Sequence, residues 1–215
     1  MLIDSEPLWL AGTNCWVMAP EPGGPAVVVD APPDADGVLA LLARHDLIPV
    51  ALLLTHAHID HLGAAGAVAH AFAMSAYLHP DDEWLAADPR LQLQALWGAT
   101  PPGDFEQPDR YESLTDGQVL GLAGLGIEVL HTPGHTPGHC CFWVPGEGAL
   151  FSGDQLFAGS IGRTDLPGGD FQALMRSMGE RVLPLPPETA VFPGHGPTTT
   201  LARELESNPF LEAFR

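Results

Sequence analysis

The sequence predicts an α/β fold, a sandwich of β-sheets covered by helices, in a single domain over residues 1–215. Three observations predict it. Short apolar strand-like runs alternate with segments of helical spacing. Tight Gly/Pro turns join some of the runs and helical crossovers join others. Hydrophobic residues make up 46% and charged residues 16% of the 215, enough for a sizeable core, and no internal repeat or low-complexity linker divides them.

Residues 15–19 and 26–30 read as strands joined by the turn 20–25, PEPGGP. Residues 34–46 read as a helix capped by Asp34, with Val38, Leu39, Leu41 and Leu42 at helical spacing. Residues 50–54 are a wholly apolar strand. The alanine-rich segment 62–72 reads as a packed helix, and 74–78 as a strand stopped by His79-Pro80. Residues 81–115 are less regular, with a short helix near 81–87 and a Pro/Gly-rich surface excursion or flap at 100–108. Four strands follow at 118–122, 126–130, 140–144 and 149–151. A helix at 171–182, a strand at 190–192 and a helix at 199–206 complete the pattern.

The formal net charge is −19, and all eight basic residues are arginines. Without lysine, a Schiff base, a lysine general base and a phosphate-loop lysine are excluded. The acidic balance disfavours nucleic acid and anionic membranes, which need cationic patches. The cysteines, Cys15, Cys140 and Cys141, are odd in number and form no CxxC, which fits a reducing cytoplasm better than a disulfide framework. The N-terminal MLIDSEPLWL lacks the basic start of a signal peptide, and no apolar run approaches the ~20 residues of a membrane span.

The chemistry concentrates at strand ends. Residues 55–61 read THAHIDH, directly after the apolar run 51–54. On an extended segment His56 and His58 project to one side, and a helix starting near Asp60 and His61 turns those side chains back to the same place. Neutral imidazole and carboxylate at such spacing suit zinc, iron or manganese. The bland alternative makes Asp60 a helix cap and the histidines incidental. His135 follows the strand 126–130 on the tight turn Pro133-Gly134, with His131 and His139 as weaker candidates. Asp154 follows a strand in Ser152-Gly153-Asp154, and His195 stands between glycines in Pro193-Gly194-His195-Gly196.

THAHIDH, TPGHT, GD and PGHG, in this order between residues 55 and 196, resemble the metallo-β-lactamase superfamily over nearly the whole chain. The resemblance implies an αββα sandwich of two mixed β-sheets flanked by helices, with a metal site at one edge. It implies two divalent metal ions, zinc being the expectation and iron or manganese the alternatives. His56, His58 and His135 would hold the first ion; Asp60, His61 and His195 the second; Asp154 would bridge them. The stretch from Gly153 to Asp165, GDQLFAGSIGRTD, resembles the short bacterial branch of the hydroxyacylglutathione hydrolases (glyoxalase II), as does the tail from Gly196 to Phe210.

That resemblance implies hydrolysis of a small-molecule acyl thioester such as S-lactoylglutathione by a metal-held hydroxide. Asp60 would orient the hydroxide as well as ligate, and Arg163 would contact the substrate. There are departures. The long form's separate C-terminal helical substrate domain is absent, and Asp165 and Pro197 stand where its glutathione-binding tyrosines are expected. β-Lactamases usually carry cysteine where Asp154 stands. The persulfide dioxygenases share the HxHxDH text, and through them His56, His135 and Asp154 would hold a single iron. Lactonase chemistry and a non-catalytic metal-binding protein are the remaining alternatives.

Overall fold

Successive side chains on a strand point to opposite faces, and this alternation sets the layers of the molecule. The computed structural model describes the backbone of residues 1–215 and the side chains of all but Arg90, Leu91, Leu96 and Trp97. The first sheet runs β1 (Leu2–Leu8), β2 (Thr13–Ala19), β3 (Pro25–Val29), β4 (Ile48–Leu53), β5 (Ser75–Leu78), β6 (Glu112–Ser113). β1, β2 and β3 pair antiparallel, and β3 to β6 pair parallel. On β2, Trp16 and Met18 face one way and Cys15, Val17 and Ala19 the other, all buried. A sheet apolar on both faces must be covered on both.

Helices cover the outer face. α1 (Ala35–Arg44) packs Val38, Leu41 and Leu42 there. The one-turn α2 (Ile59–Leu62) and α3 (Ala65–Phe72) add Leu62 and Val68. α4 (Glu83–Ala86) and α5 (Pro89–Trp97) follow β5.

The inner face meets the second sheet. This comprises β7 (Val119–Leu122), β8 (Leu125–His131), β9 (Cys140–Val144), β10 (Ala149–Gly153), and, beyond the small ribbon of β11 (Leu156–Phe157) and β12 (Ser160–Ile161), β13 (Ala190–Pro193) and β14 (Thr199–Thr200). Its order is β14-β13-β10-β9-β8-β7, parallel only between β10 and β13. Trp16, Met18, Val27, Val29 and Leu53 interdigitate with Ile127, Val129, Phe142 and Phe151 between the sheets. The adjacent cysteines split: Cys140 joins this inner core, and Cys141 the outer one. There α6 (Phe171–Ser177) and α7 (Leu201–Ser207) contribute Leu174 and Leu201. The architecture is the αββα sandwich of two mixed sheets.

Several boundaries differ from the sequence reading for local reasons. The helix expected over 62–72 is broken between α2 and α3. Ala31 inserts there, donating to the His61 carbonyl at 2.7 Å and accepting from Ala64 N at 3.0 Å. The helix expected over 171–182 ends at Ser177 and widens into a π turn over Met178–Val182. The one expected over 199–206 begins at Leu201, because Thr199 and Thr200 pair with β13 and Thr200 caps the helix. β1, α5 and the β11–β12 ribbon have no counterpart in the sequence reading. Residues 100–108 form neither helix nor strand. They are fastened by bonds from Trp9 Nε1 to Pro102 O, Ala35 N to Asp104 Oδ2 and Gly66 N to Glu106 O, each 2.8 Å. No described helix is long and apolar enough to cross a membrane.

The two sheets are tied together where β4, β10 and β13 end. Cys140 N donates to Thr55 O at 2.8 Å and Asn14 N to Gly194 O at 2.7 Å across the sheets, while Gly194 N donates to Gly153 O at 2.8 Å within the second. The Asn14 amide adds bonds to Pro193 O and Gly196 O, and Trp16 Nε1 donates to Pro193 O. Loops from both sheets are thereby held against one another at a single edge.

Candidate metal centre

The loop after β4 carries His56, then His58, which starts α2, and α2 presents Asp60 and His61. The turn after β8 brings His135, the end of β10 brings Asp154, and the end of β13 brings His195. His56, His58 and His135 form one group of nitrogens. His135 Nε2 lies 2.9 Å from His58 Nδ1 and 3.2 Å from His56 Nε2. Asp60, His61 and His195 form a second. His195 Nε2 lies 3.3 Å from both Asp60 Oδ2 and His61 Nε2. Asp154 spans the two: Oδ1 is 3.4 Å from His61 Nε2, and Oδ2 is 3.4 Å from His135 Nε2 and 3.7 Å from His195 Nε2.

Hydrogen bonding on the far sides of the rings fixes what the near sides offer. His61 Nδ1 lies 2.8 Å from Asp30 Oδ2 and His135 Nδ1 lies 2.7 Å from the Arg163 carbonyl, so both nitrogens carry the proton and donate. Thr55 Oγ1 gives its hydrogen to Asp30 Oδ2 at 2.8 Å, so at its 3.0 Å contact with His56 it accepts from Nδ1. The Nε2 atoms of His56 and His135 are therefore bare lone pairs aimed into the cluster, and His61 turns its Nε2 toward Asp60 and Asp154. His56 Nε2 and His135 Nε2, only 3.2 Å apart, have no proton to share. Asp154 Oδ1 is buried with no hydrogen-bond partner. Lone pairs and an orphaned carboxylate oxygen pressed together in this way fit cations, and the donor set of imidazole and carboxylate suits zinc, iron or manganese.

The electrostatics divide the cluster. Burial, reinforced by neighbouring histidines, pushes His56 and His135 well below the usual histidine range, and burial brings His58 down to about 4. Neutral rings keep their lone pairs. His61 goes the other way. Burial opposes its charge, yet the carboxylates of Asp154, Asp60 and Asp30 raise it to about 10. Burial would likewise raise Asp60, but His61 and His195 hold it far below the carboxylate range. Burial raises Asp154.

Close backbone approach is part of the build. A Cβ on Gly194 would press on Asp154 Oδ1 and sit 2.6 Å from His61 Cε1. Gly153 has φ +48°, and a Cβ there would lie 2.7 Å from the Thr55 side chain.

The seven residues singled out as metal ligands from sequence thus lie together. Arg163 is exposed and its guanidinium is paired to Asp165 by two 2.7 Å bonds, and the residue is among those lining the cavity over the cluster. That cavity is about 490 Å3, with Phe157, Ile161 and Leu166 among its walls. Of the weaker candidates, His139 spends both nitrogens on support: Nε2 accepts from Asp154 N at 3.1 Å and Nδ1 faces Thr132 Oγ1 at 2.8 Å. His131 stacks on His79 at 4.0 Å, in a separate His79–Asp81–His131 group.

Sequence reasoning missed the supports. Asp30, at the end of the strand read from 26–30, holds His61 and the Thr55 amide; its φ of +61° gives no signal in the text. Asp82 falls within the short helix expected near 81–87, but its carboxylate turns inward. It accepts from Ala57 N at 3.0 Å, Thr136 Oγ1 at 2.7 Å and Gly138 N at 2.6 Å, clamping the two histidine-bearing loops together. Asp82→Ala leaves these donors buried and unpaired, at about 1–3 kcal/mol each. The expected loss is at least about 3 kcal/mol of stability in denaturant unfolding.

Comparison with known proteins follows the same lines. Residues 8–195 match the family described as the metallo-beta-lactamase superfamily. The chain is 38% identical to Hydroxyacylglutathione hydrolase GloC of Haemophilus influenzae over 189 residues, covering 87% of this chain and 88% of that one. It superposes on the crystal structure of BLEG-1 B3 metallo-beta-lactamase with a TM-score of 0.89 and 40% identity, covering 98% and 100% of the two chains. The crystal structure of TTHA1623 in a di-iron-bound form gives a TM-score of 0.86 and 43% identity, covering 97% and 100%.

Proposed function

The chain belongs to the metallo-beta-lactamase superfamily, and we propose that it is a dinuclear metallohydrolase of acyl thioesters, acting as one domain over residues 1–215. The observation that carries this is the pair of three-residue donor groups joined by Asp154, with bare ring nitrogens facing one another. The thioester class draws on the 38% identity to a hydroxyacylglutathione hydrolase.

His56, His58 and His135 would hold one cation; Asp60, His61 and His195 would hold the other; and Asp154 would touch both. Zinc is the proposed metal, and a di-iron relative keeps iron in view. Divalent cations supply Lewis acidity, lowering the pKa of water to about 7 and polarising a carbonyl.

The chain's own groups do the rest. Asp60 Oδ2, fixed by Thr13 Oγ1 at 3.0 Å and by His195 at 3.3 Å, accepts the proton-bearing side of the attacking water and orients it. The Arg163 carbonyl and Asp30 hold the rings of His135 and His61 in their donor tautomers. No protein nucleophile is required. Cys15, Cys140 and Cys141 are all buried, and burial pushes each thiol well above the usual range. The departing thiolate is a good leaving group and needs no strong acid. Arg163 would meet an anionic carrier once freed from Asp165.

The test is elemental analysis of purified protein, then assays of the same sample. Two metal ions per chain with turnover of S-lactoylglutathione are expected. One iron with oxygen uptake on glutathione persulfide would replace the proposal with dioxygenase chemistry. Hydrolysis of a β-lactam in place of the thioester would favour a lactamase reading, which draws on the 40% identity to BLEG-1.

A further inference from the structure

Beside His58 lies a chamber that the metal chemistry leaves unused. Trp84 and Leu85 of α4, Ala95 of α5, and Leu166 and Pro167 wall a cavity of about 290 Å3. It shares His58 and Leu166 with the cavity over the metal cluster, so the two lie side by side. Its lining is almost wholly apolar. His58, Asp88 and Gln92 are the exceptions, and the Gln92 amide is already engaged: Oε1 accepts from Ile59 N at 3.0 Å, and Nε2 donates to Ala57 O and Leu85 O at 2.9 Å. Those bonds also lock α5 to the loop that carries His58. The chamber is thereby held at a fixed position relative to the cluster. The lining contains no cation among the described residues, and its one carboxylate, Asp88, is exposed.

Resting on the thioester reading above, we propose that this chamber receives the apolar acyl chain of the substrate, making the enzyme selective for medium-chain acyl thioesters over short hydroxyacyl ones. A thioester has two ends to place. A carrier thiol bearing carboxylates or phosphates is anionic and gains nothing from the apolar wall. The cluster-side cavity has Arg163 in its lining. The carrier belongs there, and the acyl chain belongs in the chamber. At about 30 Å3 per water-sized group, the volume suits a chain of roughly eight to ten heavy atoms. The reaction itself is unchanged. The water oxygen bonds to the carbonyl carbon and the C–S bond breaks. The acid keeps that oxygen, and sulfur takes one of the water's protons.

The metal-loaded enzyme is assayed on S-acetyl-, S-butanoyl-, S-hexanoyl- and S-octanoylglutathione. Each buried methylene should raise kcat/KM by about fourfold. Ala95→Trp, which fills the chamber, should lower the octanoyl-to-acetyl ratio by more than tenfold; Ala95→Phe gives the same readout if the larger residue prevents folding. Equal rates on acetyl and octanoyl substrates, or a ratio untouched by either variant, would overturn the chamber assignment while leaving thioester hydrolysis standing. If no thioester is cleaved, the thioester reading fails separately. The chamber is then judged by calorimetric titration with acetate, hexanoate, octanoate and decanoate. Affinity that climbs with chain length and is lost in Ala95→Trp supports an acyl-chain site; affinity independent of length overturns it.

Discussion

His58→Ala and Asp154→Ala are each expected to lower acyl-thioester hydrolysis by orders of magnitude in protein that remains folded. The two act on different parts of the cluster. His58 supplies a nitrogen to the three-histidine group only, whereas Asp154 offers one oxygen to each group. His58 begins α2 without making a side-chain cap bond, so its loss removes a donor and not a helix cap. Asp154→Ala therefore strips an oxygen donor from both groups at once, whereas His58→Ala leaves the Asp60–His61–His195 group whole. Elemental analysis of the variants should show the difference, with Asp154→Ala losing more metal. Near-normal rates in either well-folded variant would refute the ligand assignment.

Asp30→Ala is expected to damage both stability and metal affinity, although Asp30 belongs to neither donor group. Its carboxylate is 1% exposed and accepts from the Thr55 amide, the Thr55 hydroxyl and His61 Nδ1, each at 2.8 Å. Removing one partner of a buried charged pair costs about 3–5 kcal/mol. Losing the carboxylate that orients a metal-binding histidine typically costs about 10–100-fold in metal affinity. Asp30→Asn keeps the shape and an acceptor oxygen but removes the charge, so it should retain more stability than Asp30→Ala. Urea midpoints together with competitive chelator titration of all three proteins measure both effects. Unaltered metal affinity in Asp30→Ala would show that His61 needs no such support.

How much of this was legible depends on distance along the chain. The donor residues announced themselves because four crowd into THAHIDH after an apolar strand and the other three, His135, Asp154 and His195, sit on Gly/Pro turns, as in Phe192-Pro193-Gly194-His195. Strand β9 and the Asp34-capped α1 were equally readable, one from five buried apolar residues in a row and the other from helical spacing behind a cap. What failed was long-range. The break between α2 and α3 comes from Ala31, some thirty residues upstream, taking the helix's own hydrogen bonds. β1 alternates only weakly because it is an edge strand with mostly half-buried residues. Asp30, Asp82 and His139 look like ordinary strand-end, helix and turn residues. Their roles exist only once loops from both sheets meet. Donor chemistry is local in sequence; the hydrogen bonds that aim it are not.

The central claim is that seven donors from both sheets hold a pair of cations at one edge of the sandwich. The most direct test is anomalous diffraction from crystals of the metal-loaded protein. Two peaks about 3.5–4 Å apart, one among His56, His58 and His135 and one among Asp60, His61 and His195, with Asp154 reaching both, are expected. A single peak held by His56, His135 and Asp154, or peaks away from this edge, would contradict it.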